Sequence, residues 1–392
     1  MKIAHIQHPY LPGLGYQENY LPFYQADLGH EVHLVSSKRV PPKFRDKYIE
    51  DQWGESYRKN GVQIHRLNCR FVAESVEDVF FDRLQTTLAG IAPDVVHSHG
   101  LITMKSVQSF YYKFRHESST GLFIDMHRDN GNFDMSSVQN QFLYSVFKTG
   151  FLPVLKRYTD CFLPVNPYSK DLLMNDLSID PTQVELLPLG VDKTEFSPDP
   201  QARQSVREGL GLEPSDTLVI FAGHIEETKR LTDAIAALGN LNDGLLSETN
   251  FLILGSGDKE YINQLHSTAA EAGVRENTEF RGFVDHDRLS NYFNAADVGI
   301  WTGKLGITVL EAVSCGLPVI VSDDPATTFI VSNDNGLTFT EGDLKELTNR
   351  IKKYLSEPAL WDEHGSRGRQ LIEERLSWEQ IAAKSIECYR SY

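Results

Sequence analysis

Along the 392 residues, short β-branched apolar runs alternate with longer stretches whose apolar residues recur at helical spacing. KIAHIQH (2–8), EVHLVSS (31–37), VQIHRL (62–67), VVHSH (95–99), LFIDMH (122–127), CFLPVN (161–166) and VELLPL (184–189) read as strands. The pattern restarts with TLVIFAG (217–223), NFLILGSG (250–257), TEFRGFV (278–284), DVGIW (297–301) and PVIVSD (318–323). Strands separated by helix-length segments predict parallel sheets with helices on both faces. Two such series predict an α/β chain of two doubly wound domains, because a single core stops growing near ~250–300 residues. The polar stretch VDKTEFSPDPQA (191–202), punctuated by Pro198 and Pro200, marks the junction. The expected domains are 1–195 and 196–376, followed by a closing helix over 377–392.

Composition narrows the class. No apolar stretch approaches the ~18–20 residues of a membrane span. The opening MKIAHIQHPYLPG reads as a strand, without the apolar core and cleavage site of a leader. Cys69, Cys161, Cys315 and Cys388 show no C-x-x-C pairing, which fits a reducing cytoplasm and argues against a structural zinc site. The net charge is −16 and uneven: residues 1–196 carry 20 Lys and Arg against 23 Asp and Glu. The acidic second half argues against nucleic acid, which needs a basic footprint. The nearly neutral first half suits an anionic surface, or the asymmetry serves solvation alone.

Parallel sheets place ligand sites at the carboxyl ends of strands, and the candidate chemistry gathers there. In WTGKLGITVLEAVSCGLPVI (301–320), a buried strand leads through Gly306 into a helix opened by Ile307, Thr308 and Val309. The free amides of a helix's first turn form a phosphate site. Glu311 in that turn either accepts hydrogen bonds from a vicinal diol such as ribose or simply complements the helix dipole. In FAGHIEETKRLTDAI (221–235), Lys229 sits where loop becomes helix. Its cation either reaches a diphosphate or is a solvated surface charge. The glycines of NFLILGSGD are weak evidence alone.

Taken together, GLGYQ…GHEVHLVSS, PDVVHSH, LLPLGVDKTEF, FAGHIEETK, LILGSGD, FRGFV, GITVLEAVSCGLPVIVSD and RLSW occur in an order that resembles the retaining nucleotide-sugar glycosyltransferases of GT-B fold, family four of the sequence-based classification. The resemblance runs from residue 1 to about 380. It implies two Rossmann-like domains facing across a cleft, an acceptor-binding first domain, a donor-binding second domain, and a C-terminal helix that crosses back to the first. It implies that Glu311 binds the ribose, that backbone from Leu305 through Gly306 and Ile307 to Thr308 holds the donor sugar and diphosphate, and that Lys229 neutralises the leaving group. Gly282 and Phe283 would line the base, with Gly13, Gly15, Gly223 and His224 also near the donor. His127 matches a histidine facing the reacting sugar. His97 and His99 end the neighbouring strand, and each is either a cleft residue or a satisfied core residue. Tyr16 and Gln17 are acceptor-side candidates. Two positions depart from the family: Gly303 stands where its first glutamate belongs, and His224 where its arginine does.

The implied activity is transfer of a hexosyl-type sugar, with retention and without a metal or other cofactor, from a nucleoside-diphosphate sugar to a glycan or lipid-linked acceptor. A nucleotide-sugar 2-epimerase and an inactive nucleotide-sugar-binding homologue are the alternatives. The first would need an acid near Glu311, where Gly303 supplies none. SSVQNQFLYSVFKTGFLPVLKRYTD (136–160) mixes aromatic and basic residues, and reads either as an interfacial helix on a membrane or as a core-facing helix interrupted at Pro153. The expected location is the cytoplasm, including peripheral contact with the inner membrane face.

Overall fold

The alternating pattern resolves into two compact units, one formed by Met1–Leu189 with Trp378–Tyr392 and the other by Gly190–Ser377. The computed structural model describes residues 1–50, 53–73, 78–116, 120–127, 138–327, 329–332 and 334–392.

The first unit is built on β1 (Lys2–Ile6), β2 (Glu31–Ser37), β3 (Ser56–Lys59), β4 (Val62–Leu67), β5 (Cys69–Ala73), β6 (Asp78–Phe81), β7 (Val95–Ser98), β8 (Gly121–Met126) and β9 (Cys161–Pro164). Seven of them form one sheet in the order β3-β4-β2-β1-β7-β8-β9, parallel except for β3. The β5–β6 pair is a separate antiparallel ribbon. Central parallel strands are covered on both faces, so their polar side chains must be satisfied inside the protein. His5 of β1 is such a residue, and it lies in register with His97 of β7. The helix Trp378–Ser391 belongs to this unit. Trp378 stacks on Tyr20 at 5.6 Å, and Gln25 donates to Ser385 Oγ at 2.8 Å.

Two expectations need correction here. The run 184–189 is not a full strand. Glu185 N and Leu187 N donate to Phe162 O and Pro164 O, but Pro164 has no N–H to return, so the ladder stops at a single bridge. The short strands β3, β5 and β6, and Gly336–Phe339 in the second unit, were not expected, because SYRK, CRFVA, DVFF and GLTF lack the long apolar run of the central strands. The stretch 136–160 falls partly outside the described residues. Its described part is helix Val138–Val146, a π turn Phe147–Phe151 and helix Leu152–Tyr158, with Pro153 in the first turn where its missing N–H costs nothing. Phe147, Leu152 and Leu155 are buried, while Phe142, Val146 and Phe151 are exposed. The buried residues fit the core-facing reading for that part of the segment.

The second unit is a six-stranded parallel sheet of β10 (Thr217–Ala222), β11 (Thr249–Leu254), β12 (Thr278–Gly282), β13 (Val298–Trp301), β14 (Val319–Ser322) and β15 (Gly336–Phe339), in the order β12-β11-β10-β13-β14-β15. The chain reverses direction of winding between β10 and β13, the place where such sheets bind ligands at their carboxyl ends. At the opposite edge Asp297 anchors the sheet to the helix Pro200–Leu210. It accepts Arg203 Nη2 at 2.5 Å, Arg207 Nη1 at 3.1 Å and Leu218 N at 2.7 Å. Arg203 Nη1 also serves the carbonyls of Asn294, Ala295 and Ala296, the orphan acceptors at the end of helix His286–Ala295. Asp297→Ala would strand two guanidinium groups and a strand amide, and is expected to cost about 3 kcal/mol. Urea denaturation of the full chain checks this; an unchanged midpoint would contradict it.

Candidate functional site

Carboxyl-end loops of β10 and β13 in the second unit are laced together by backbone. Ala222 O accepts both Thr308 Oγ1 at 2.7 Å and Trp301 Nε1 at 3.1 Å. Thr302 Oγ1 donates to Lys229 O and Arg230 O, and Lys304 N donates to Thr228 O at 2.9 Å. The Lys229 ammonium donates to Lys304 O at 2.8 Å and lies 3.8 Å from Glu226 Oε1. Lys229 is thus tied down beside residues 302–308 rather than waving in solvent.

The same lacing accounts for Gly303. A Cβ there would lie 2.2 Å from Thr228 O and 3.0 Å from Lys229 C. The space that a glutamate side chain would leave by is filled by the backbone that carries Lys229.

Glu311 lies on the helix Thr308–Ser314 and is buried, with 2% exposure. Its Oε1 takes a hydrogen bond from His286 Nε2 at 2.7 Å, and His286 Nδ1 lies 3.2 Å from Glu195 Oε1. Burial alone would lower the basicity of His286, but the hydrogen bonds and charges of Glu195 and Glu311 carry its pKa up to about 10. Among the described residues, Glu311 Oε2 is buried without a hydrogen-bond partner. A buried carboxylate oxygen left without a donor is costly, and a ligand hydroxyl is the kind of group that completes it.

The remaining second-unit candidates surround this centre at the strand ends. His224, Gly306, Gly282 and Phe283 are exposed, and Gly223, Leu305, Ile307 and Thr308 are partly buried. A cavity of about 300 Å³ lined by Arg203, Asp297, Leu317 and Trp361 lies at the amino ends of β13 and β14, away from Glu311.

A second polar centre lies in the first unit. Asp125 on β8 is fully buried, and its Oδ2 meets His99 Nδ1 at 2.5 Å, His127 Nε2 at 3.2 Å and His97 Nε2 at 3.3 Å. Its Oδ1 accepts Gly100 N at 2.7 Å. Burial alone would raise the Asp125 pKa, but the charges and hydrogen bonds of these histidines hold it well below the usual carboxylate range. His99 Nε2 continues to His5 Nδ1 at 2.9 Å, His5 Nε2 to Gln25 Oε1 at 2.7 Å, and His97 Nδ1 to Tyr389 OH at 2.6 Å. His97 and His99 are therefore buried network residues. His127, with a 39% exposed side chain, is the member that reaches solvent.

Two triples, His5–His97–His99 and His99–Asp125–His127, bring ligating atoms within 4.8 Å of one another. His5 and His99 bond directly to each other, and the second triple already shares protons through Asp125. Gly13 (φ +83°) and Gly15 (φ +71°) turn the loop after β1. Tyr16 is exposed, while Gln17 is buried with both amide atoms unpartnered among the described residues.

Several participants escaped the reading of motifs: Glu195, His286, Asp125, Gln25 and Glu18. The last is a buried acid pushed up to about 7 by burial, against weaker opposing help from its own backbone amide and His127. Nothing in local spacing marks His286, because its partners lie 91 and 25 positions away.

Comparison with known proteins then gives the class. Residues 202–371, within the second unit, match the family described as glycosyl transferases group 1. The chain is 27% identical over 220 residues to a D-inositol 3-phosphate glycosyltransferase of Xylanimonas cellulosilytica, covering 53% of this chain and 51% of that one. It is 29% identical over 217 residues to a GDP-mannose-dependent alpha-(1-6)-phosphatidylinositol monomannoside mannosyltransferase of Mycolicibacterium smegmatis, covering 52% and 55%. The chain spans about half the length of the curated relatives it matches. Sucrose-phosphate synthase from Thermosynechococcus elongatus superposes with a TM-score of 0.74 at 20% identity, over 100% of this chain and 98% of that one. Anabaena HepE in complex with UDP-glucose gives 0.70 at 16%, over 100% of both chains. The fold is that of the GT-B glycosyltransferases, with two Rossmann-like units.

The two centres titrate in opposite senses. Burial and neighbouring charges push His5 well below the ordinary imidazole range, His99 down to about 4 and His8 down to about 3. Below about pH 6.5 the unfolded chain takes up protons that these folded sites refuse, so they cost the first unit stability toward acid. His286 is the reverse case. Its contribution is complete below about 6.5 and is lost as pH rises through about 10. Between pH 7.5 and 5.5, amide protection is expected to fall in β1, β7 and β8 and to hold in the helix Thr308–Ser314. Hydrogen exchange corrected for intrinsic rates checks this; an equal fall in both units would contradict it.

Proposed function

We propose that the protein transfers a hexosyl-type sugar, with retention and without a metal ion, from a nucleoside-diphosphate sugar to a glycan or lipid-linked acceptor. The observation that carries this reading is Glu311 Oε2, a buried carboxylate oxygen without a donor among the described residues, at the strand-end position where a ribose hydroxyl would supply one. Lys229, fixed beside residues 302–308, is the group proposed to meet the charge that develops on the departing diphosphate, where preorganised charge acts most strongly. The complexes of Anabaena HepE with UDP and UDP-glucose, and the GDP-mannose dependence in the name of the mycolicibacterial relative, support a nucleotide-sugar donor. His127 is the proposed catalytic residue of the first unit, its ring oriented by Asp125. Desolvation alone would lower the His127 pKa, but the charge and hydrogen bond of Asp125 raise it, which suits a group that meets an electron-rich sugar oxygen.

The test is a thermal-shift panel of uridine, guanosine and adenosine diphosphates without added metal, on wild type and Glu311→Ala. A ligand that binds only the folded state stabilises it by about 2.7 kcal/mol at 100 times its Kd. One nucleotide is expected to raise the wild-type Tm and to leave the variant unmoved. No shift with any nucleotide would overturn the donor assignment.

For the acceptor we propose a lipid-linked molecule met at a cytoplasmic membrane face. Exposed Phe142, Val146 and Phe151, with Lys148 and Arg157 nearby in sequence, form the kind of apolar and basic surface that enters an anionic interface. No helix among the described residues is long and apolar enough to cross a membrane. Phe142→Ser with Phe151→Ser is expected to reduce co-sedimentation with phosphatidylglycerol vesicles at least threefold while leaving the Tm within about a degree. Equal sedimentation of variant and wild type would refute the membrane contact.

A further inference from the structure

We infer that His286, held by Glu195, is a positioning residue that makes Oε2 the stronger acceptor of Glu311 for its ligand, so that the site depends on one hydroxyl of the nucleotide's ribose far more than on the other. This rests on the donor-site reading above and adds a selectivity to it.

The argument is one of donors and acceptors. A carboxylate offers two oxygens and a vicinal diol offers two O–H donors, so the unencumbered match is one hydroxyl to each oxygen. Here one lone pair of Glu311 Oε1 is engaged by the His286 cation at 2.7 Å, which draws charge from that oxygen and leaves Oε2 the oxygen with both lone pairs free among the described residues. On its other side His286 Nδ1 faces Glu195 Oε1 at 3.2 Å. Ionised carboxylates only accept, so both ring nitrogens donate and the ring is an imidazolium. Its bonds are charge-assisted and among the stronger kind.

The clamp is itself held. Asp192 Oδ1 accepts Glu195 N at 3.1 Å. The next residue, Phe196, is buried with its ring edge-on to His286 at 5.2 Å. Phe196 O accepts Ser314 Oγ at 2.6 Å and Arg369 Nη1 at 2.8 Å. Ser314 closes the helix that carries Glu311, so the segment bearing Glu195 and the helix bearing Glu311 are fastened to each other on both sides of the imidazolium. Turning the Glu311 carboxylate to present both oxygens would break the His286 bond. The stronger acceptor is Oε2, buried and without a donor among the described residues. One ribose hydroxyl completes it, and the other is left to water or backbone.

The experiment is calorimetric titration of the full chain with uridine, guanosine and adenosine diphosphates and with the 2′-deoxy and 3′-deoxy forms of whichever binds. A hydrogen bond to a charged group is worth about tenfold or more in affinity. In the wild type, one deoxy form is expected to bind at least tenfold more weakly than the parent and the other within about twofold of it. In His286→Phe, which keeps a ring but removes both donors, Oε1 is freed and both deoxy forms are expected to fall below the parent by at least fivefold. Equal weakening of both deoxy forms in the wild type would overturn the clamp while leaving the ribose assignment standing. An unchanged pattern in His286→Phe would overturn the role of His286. If neither deoxy form loses affinity, or no nucleotide binds, the donor-site reading fails and this inference fails with it. The wild-type comparison is decisive even where the variant does not fold.

Discussion

A carboxylate withdrawn from water must be answered by a donor, and this chain is organised around two such carboxylates. Glu311 in the second unit and Asp125 in the first are both buried at the carboxyl ends of parallel strands. Desolvation of an isolated carboxylate is expensive enough that the surrounding elements are arranged to supply protons to it. Asp125 receives the imidazoles of His99 and His127 and a backbone amide, with His97 Nε2 3.3 Å away. Glu311 receives one imidazolium on one oxygen and, among the described residues, no donor on the other. That difference distinguishes the two centres more sharply than burial does, since both carboxylates are buried.

The first unit spends its histidines on rigidity. The line from Asp125 through His99 and His5 to Gln25 ends on Ser385, and His97 ends on Tyr389, so β1, β7, β8 and the last helix are joined by side chains as well as by packing. His127 inherits its orientation from this network while its own ring stays partly in solvent. A histidine whose partner is so thoroughly anchored has a defined donor direction, which a solvated histidine lacks.

In the second unit the loop that carries Lys229 has replaced a side chain with backbone. Where the family resemblance places a first glutamate, Gly303 lets Thr228 O approach to a distance no Cβ would tolerate. The result is a tighter junction between the loops after β10 and β13, with the Lys229 ammonium fixed on Lys304 O. Position 303 itself supplies no acid; Glu226 lies 3.8 Å from the Lys229 ammonium, and Glu195 and Glu311 flank His286.

How much of this was legible beforehand follows from the range of each signal. Strands such as TLVIFA and NFLILG were readable because burial on both faces demands a continuous apolar run. Glu311, Lys229 and His127 could be named as candidates because each stands in a motif only a few residues long. β3 and β5 were missed because edge and ribbon strands carry no such run, and VELLPL was over-read because Pro164 on its neighbour cannot return a hydrogen bond. The sequence by itself determined the two parallel sheets, the strand-end placement of the chemistry and the glycine at 303. Only the tertiary structure decided which oxygen of Glu311 is free and which histidines are buried. It also brought Glu195 and His286 together, because those facts depend on pairings between residues 25 to more than 90 positions apart, which no local pattern encodes.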